Sequence, residues 1–159
     1  MGLDMYLIKR KKDKNKKDLW GFEKELIYWR KANQIHNYFC NNGDVIEEQI
    51  SYQISKEVLL DLIEKCKEVL KKAKLVDSKI SNGWQYKDGK KEELYCDGQI
   101  IENQDEISEI LPTVSGFFFG NTEYNNYYIE DIKYTLENLE QVIDLIDFEN
   151  EDVFYLASW

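Results

Sequence analysis

A chain of 159 residues with 43% apolar and 14% aromatic side chains has the material for one domain with a real core, and global disorder is excluded despite 33% charged residues. A net charge of −10 argues against general nucleic-acid binding, and no apolar run has membrane-spanning length and no signal peptide opens the chain, so a cytoplasmic protein is expected. Three cysteines without a CxxC and a single histidine are too few and too scattered for zinc, so neither metal nor cofactor is expected.

Residues 2–8, GLDMYLI, are apolar and β-compatible and predict a strand. Residues 9–17, KRKKDKNKK, hold seven of the 21 basic residues. Such a run can touch a phosphate backbone, but a solvated loop or a strand end protected from pairing is the simpler expectation. Glu23 to Asn41 predicts a first helix, closed by the turn signal Asn42-Gly43. Ser51 to Ile54 reads as a short extended link. Ser55 is a good N-cap for a second helix running to about Lys74. Its apolar positions Leu59, Leu62, Ile63, Cys66, Val69, Leu70 and Ala73 have helical spacing.

Between Ser81 and Gln104 the character changes. Asn82-Gly83, Asp88-Gly89 and Asp97-Gly98 are turn dipeptides, and a β-hairpin is expected around the middle one. Glu102 to Ile110 can form one or two helical turns before Pro112, the only proline. Ser115 to Gly120 reads as a short buried strand. Asn121 or Thr122 would cap a third long helix to about Ile146, with core positions Ile132, Leu136, Leu139, Val142, Ile143 and Ile146. Val153 to Trp159 is β-like. The expected fold is a single α+β domain over 1–159. Three main helices pack on a small, mainly antiparallel sheet, with a hairpin excursion over 77–109.

Two constellations carry chemistry. In the first helix, Trp29, Asn33, His36 and Cys40 would share one stripe beside the core-facing side of Tyr28, Ala32, Ile35 and Phe39. That stripe offers an indole for stacking, an amide for hydrogen bonding and an imidazole for proton transfer. Arg30 lies further round and can clamp an anion. A boundary stripe with a satisfied histidine is the alternative. In the second constellation, Gly116 and Gly120 bracket three phenylalanines. Alternation would send Phe117 and Phe119 to one face, so Phe117 and the neighbouring Ser115 join the ligand-binding candidates. The following helix start offers free N–H groups, although Glu123 there opposes an anion. Tyr124, Tyr127 and Asp131 add hydroxyl-tipped rings and a carboxylate suited to a planar ligand.

No Walker loop, GxGxxG, HExxH or GxSxG is present. The expected role is capture of a small, nucleotide-like ligand by Trp29, Arg30, Asn33, His36, Ser115, Phe117, Glu123, Tyr124, Tyr127 and Asp131. No nucleic acid and no membrane is expected as a partner, and a homo-oligomer stays open. One alternative is a hydrolase or transferase using His36 with Glu123 or Asp131 as acid and base. Another is a protein–protein inhibitor that uses the acidic third helix.

The stretches MGLDMYL, YWRKANQIHNYF and LPTVSGFFFGNTEYNNYYIEDIKYT resemble a family of small phage and prophage proteins without an established activity. The resemblance covers about half the chain and leaves 77–109 without a matching signal. It implies a phage accessory protein in the host cytoplasm, outside virion structure and replication. By analogy with counter-defence genes, it implies a sponge that sequesters a nucleotide immune signal.

Overall fold

The computed structural model describes residues 2–12, 24–42 and 50–159. Residues 13–17 of the basic run, the expected helix start at Glu23 and Gly43 of the expected turn lie outside that set. The elements run β1 (Asp4–Lys11), β2 (Lys24–Arg30), α1 (Asn33–Asn41), β3 (Ser51–Ile54), α2 (Lys56–Lys72), β4 (Leu75–Lys87), β5 (Lys90–Ile101), α3 (Gln104–Ile110), α4 (Asn126–Ile143) and β6 (Glu151–Ser158). The class is α+β with antiparallel sheets, and four helices stand where three main ones were expected.

The larger sheet has the order β2-β1-β6-β3, antiparallel throughout. Its two central strands are therefore the first and last of the chain. Strand alternation puts Met5, Leu7, Ile27, Trp29, Ile54, Val153, Tyr155 and Ala157 on one face, all buried. The helices cover that face. The Phe39 ring of α1 stacks on Tyr155 at 4.2 Å, and Trp29 Nε1 donates to Thr135 Oγ1 of α4 at 2.9 Å. Ser55 caps α2, its Oγ accepting from Val58 N–H at 3.3 Å. Leu59, Leu62, Ile63, Cys66 and Val69 are buried, as helical spacing predicted, with Leu70 and Ala73 packed beside them. Ile132, Leu139, Val142 and Ile146 are buried likewise, and Leu136 and Ile143 pack against the same core.

Two expectations are corrected. The helix expected from Glu23 is a strand followed by a short helix. Ile27 and Trp29 point inward while Tyr28 and Arg30 point outward, a two-residue period that pairs with β1. Lys31 then turns the chain at φ 58°, and α1 starts at Asn33. The segment Ser115 to Gly120 is a turn, not a buried strand. Phe119 N–H donates to Gly116 O at 3.2 Å, and Phe118 holds φ 61° at the third turn position. Phe119 enters the core, whereas Phe117 is 73% exposed, so the two do not share a face. Three consecutive large rings cannot all point inward, and the turn resolves that conflict.

The hairpin β4–β5 is longer than the turn signals implied. Asp88 and Gly89 form its tight turn with φ 51° and 75°, as a type I′ connection needs. Asn82-Gly83 marks instead a register shift within β4. Asp97-Gly98 lies inside β5, because the helix α4 comes in too close for a side chain. A Cβ on Gly98 would lie 2.4 Å from Ile80 Cδ1 and 2.9 Å from Asn126 Oδ1. Ile101 N–H donates to Tyr124 O at 2.8 Å, which sews the hairpin base to the entrance of α4.

Candidate functional site

A groove of about 800 Å³ opens where the β2–α1 link, the hairpin and the start of α4 converge. Arg30 and Lys31 come from the link, Trp84 and Glu93 from the hairpin, and Glu123, Tyr127 and Asp131 from the approach and first turns of α4. Gln34, Asn125 and Tyr128 form deeper wall. Among the described residues, neither Arg30 nor Lys31 is held in an ion pair. Trp84 and Tyr127 are about half exposed; Lys91 Nζ lies over the Trp84 ring, 5.0 Å from its centroid, and Tyr86 meets that ring edge-on.

The strand-to-helix junction that carries the two cations is backbone-strained. A left-handed conformation costs a non-glycine residue about 1–2 kcal/mol, and Lys31 holds it at φ 58°. Its N–H donates to Leu3 O at 2.7 Å and its carbonyl accepts from Asn33 N–H at 2.9 Å. Gly120, at φ 88°, lies against the Lys31 side chain, where a Cβ would sit 3.0 Å from Lys31 Cβ. Replacing Lys31 by Gly is expected to stabilise the fold by up to about 1 kcal/mol while removing one cation from the groove. A urea midpoint that stays put or falls would show that no strain is stored there.

The helix α4 is capped at Asn125, not at Asn121 or Thr122. Its Oδ1 accepts from Tyr127 N–H at 2.9 Å and Tyr128 N–H at 3.3 Å. Asn125 is buried, and its Nδ2 has no hydrogen-bond partner among the described residues. A buried donor of this kind calls for an acceptor. Asp131 lies further along the same helix. Burial raises its carboxyl from 3.8 to about 6, against a smaller opposing contribution from the Gln34 amide.

Of the residues singled out from sequence, Arg30, Glu123, Tyr127 and Asp131 meet in this groove. Trp29, Asn33 and His36 stand behind it in the core, with side chains 1–4% exposed. Tyr124 is half-buried at the edge, its hydroxyl accepting from Thr113 N–H at 3.1 Å. Ser115 and Phe117 are exposed on the turn and are not part of the groove lining. The expected stripe of Trp29, Asn33 and His36 is broken because Trp29 belongs to a strand. Asn33 fastens the loop instead. Its Nδ2 donates to Phe119 O at 3.2 Å and Asn121 O at 2.9 Å, and its Oδ1 accepts from Val114 N–H at 3.1 Å.

His36 is a core residue. Its Nδ1 shares a 2.7 Å hydrogen bond with the Tyr155 hydroxyl, and its ring lies edge-on to Phe119 and Trp159. Cys40 Sγ stands 3.5 Å from Nε2, which resembles a thiol–imidazole dyad. Burial raises the thiol and lowers the imidazole to about 4, so both stay neutral and the pair is not an activated nucleophile. The lowered imidazole has a stability consequence. Neutral His36 contributes fully above 6.5, and that contribution is lost as pH falls toward 4, because the unfolded chain takes up the proton first. The loss is on the order of 2 kcal/mol. The melting temperature of the wild-type chain is expected to fall more steeply between pH 6.5 and 4 than that of His36→Gln. Parallel slopes would remove His36 as the source.

Sequence reasoning missed Lys31, Gln34, Trp84, Glu93 and Asn125. Asn82-Gly83 beside Trp84 was the only local sign of the hairpin's part, and it reads as a turn. No protein-family model matches the chain, and no curated protein and no solved structure matches it either. No described helix is long and apolar enough to cross a membrane. Among the described residues no cluster of His, Cys, Asp and Glu could hold a metal ion.

Proposed function

We propose that this protein binds a small, anionic, nucleotide-like ligand in the groove between the β2–α1 link, the hairpin and α4. The observation that carries the reading is the composition of that groove. Two cations without ion-pair partners among the described residues, two half-exposed aromatic rings, a buried amide nitrogen without a partner among the same residues and a half-buried carboxylate line one cavity. Arg30 and Lys31 would hold negative charge, Trp84 and Tyr127 would stack on a planar group, and Glu123, Asn125 and Asp131 would read polar edges. The resemblance to phage accessory proteins extends this to a counter-defence sponge that sequesters an immune signal in the host cytoplasm.

Native mass spectrometry of protein purified from phage-infected cells, followed by denaturation, tests the reading. Release of an intact anionic compound is expected, and release of an altered product would reject simple sequestration. Arg30→Ala is expected to lower retention about tenfold or more, as loss of a charge-assisted hydrogen bond does. It should leave the fold intact, since Arg30 is exposed at the end of an edge strand. Undiminished retention would remove Arg30 from the site.

A second reading, a hydrolase or transferase on a similar ligand, draws on Asp131. A carboxyl raised to about 6 is suited to general acid–base work near neutral pH. His36 is not part of the groove lining, so Asp131 or Glu123 would carry that chemistry.

A further inference from the structure

The groove is lined by charges of both signs. Arg30 and Lys31 come from the β2–α1 link, Glu93 from β5, Glu123 from the approach to α4 and Asp131 from α4 itself. Burial raises the Asp131 carboxyl only to about 6, which leaves it ionised at neutral and alkaline pH. Three carboxylates against two cations give the lining an excess of negative charge, on a chain whose net charge is already −10. Among the described residues no ion pair joins the two signs. Glu93 is the cross-strand partner of Trp84, so a carboxylate and an indole stand side by side on one face of the hairpin. The Tyr95 hydroxyl donates to Glu93 Oε2 at 2.7 Å. That bond, with the charge of Glu123 adding to it at longer range, raises the Tyr95 hydroxyl, so both carboxylates stand toward the hairpin side of the groove. The ammonium of Lys91 lies over the Trp84 ring, so the chain already sets one cation against this indole. In the wall below, the buried Asn125 Nδ2 has no partner among the described residues.

We propose that the groove takes a zwitterionic ligand, with its anionic group on Arg30 and Lys31 and a cationic planar group against Glu93 and Glu123 beside Trp84. The inference rests on the nucleotide reading above and adds a positive charge to the planar group. A ligand bearing negative charge alone would satisfy the two cations and add repulsion at the three carboxylates. A ligand with both signs meets each set of charges with its opposite and stays net anionic when its anion is a phosphate. A ring with delocalised positive charge suits the hairpin wall for two reasons. It is attracted to the face of an indole or phenol more strongly than a neutral ring is. It is also weakly hydrated beside an ammonium, so less is lost on entering a half-covered site. A neutral base stacks on the same rings but leaves Glu93 and Glu123 without a counter-charge.

Calorimetric titration of the full chain with oxidised and reduced nicotinamide mononucleotide, at neutral pH and with a chelator present, tests this. The two probes differ by one hydride and have nearly the same shape, and only the oxidised ring is positively charged. The oxidised form is expected to bind about tenfold tighter, as one ring–cation contact and one exposed ion pair together supply. Glu93 and Glu123 are exposed, so Glu93→Gln with Glu123→Gln should fold normally. That pair of substitutions should abolish the preference without weakening the reduced form. Equal affinity for the two forms would overturn the zwitterion inference and leave the nucleotide reading standing. So would a preference that the double substitution does not change. Binding that appears only when magnesium replaces the chelator would assign the positive charge to a metal ion and overturn the inference as well. Absence of binding by either form under both conditions would overturn both readings.

Discussion

Asp131→Asn is expected to make the protein more stable at neutral and mildly alkaline pH, by about 2 kcal/mol once solvent access to the carboxylate is allowed for. The sign follows from the direction of the shift. Burial raises the carboxyl in the folded state from 3.8 to about 6. Between those values the folded chain binds more protons than the unfolded chain, so stability falls as pH rises. Above 6 the folded state carries the full cost of a desolvated charge, and below 3.8 it carries none. The amide has nearly the same shape, can still accept from Gln34, and never ionises. The difference in melting temperature between variant and wild type should therefore be largest above pH 6 and vanish near pH 3.5. A constant difference would assign the effect to packing. A wild type that is the more stable at pH 8 would show that an unseen partner holds the carboxylate. Retaining such a group against its folding cost fits a residue kept for recognition.

The second large effect is expected at Asn33. Its side chain is 1% exposed and closes three hydrogen bonds to the loop Val114–Asn121. Asn33→Ala would leave two carbonyls and one N–H without their partner beside the core. Each buried group so abandoned costs about 1–3 kcal/mol, and partial access of water lowers the sum to about 3 kcal/mol in all. Denaturant unfolding measures this directly. Because Asn121 lines the groove and Gly120 abuts Lys31, the same substitution is expected to weaken ligand retention as well. Hydrogen exchange should speed up in Val114–Asn121 and stay slow in β1 and β6. A loss below 1 kcal/mol, with unchanged exchange, would mean that the loop is held by Phe119 alone.

The helix α2 was legible because its apolar spacing, its Ser55 cap and its length agree with one another. The same holds for the core stripe of α4 and for the last strand. The Asp88-Gly89 turn was legible because a type I′ connection has a chemistry of its own. Arg30, Glu123, Tyr127 and Asp131 were legible as candidates because charge and aromatic rings stand out in any order. Their meeting in one groove depended on where the elements packed.

The residues KELIYWR fit two periods. Helical spacing aligns Tyr28 with Ala32 and Ile35, and alternation aligns Ile27 with Trp29. Pairing with β1 decided between them, and although a strand at residues 2–8 is legible in the sequence, its partner is not. In SGFFFG, composition announces burial, but only the space available beside His36 and Trp159 determined that Phe119 alone goes in. The hairpin's contribution of Trp84 and Glu93 likewise depended on Gly98 letting α4 approach β5. Local chemistry thus determined the helices, caps and turn whose signals are self-consistent over a short window. Contacts between residues distant in sequence decided the strand–helix boundary at Lys31, the fate of each phenylalanine and the walls of the groove, because each depends on burial against a surface that the local sequence does not contain.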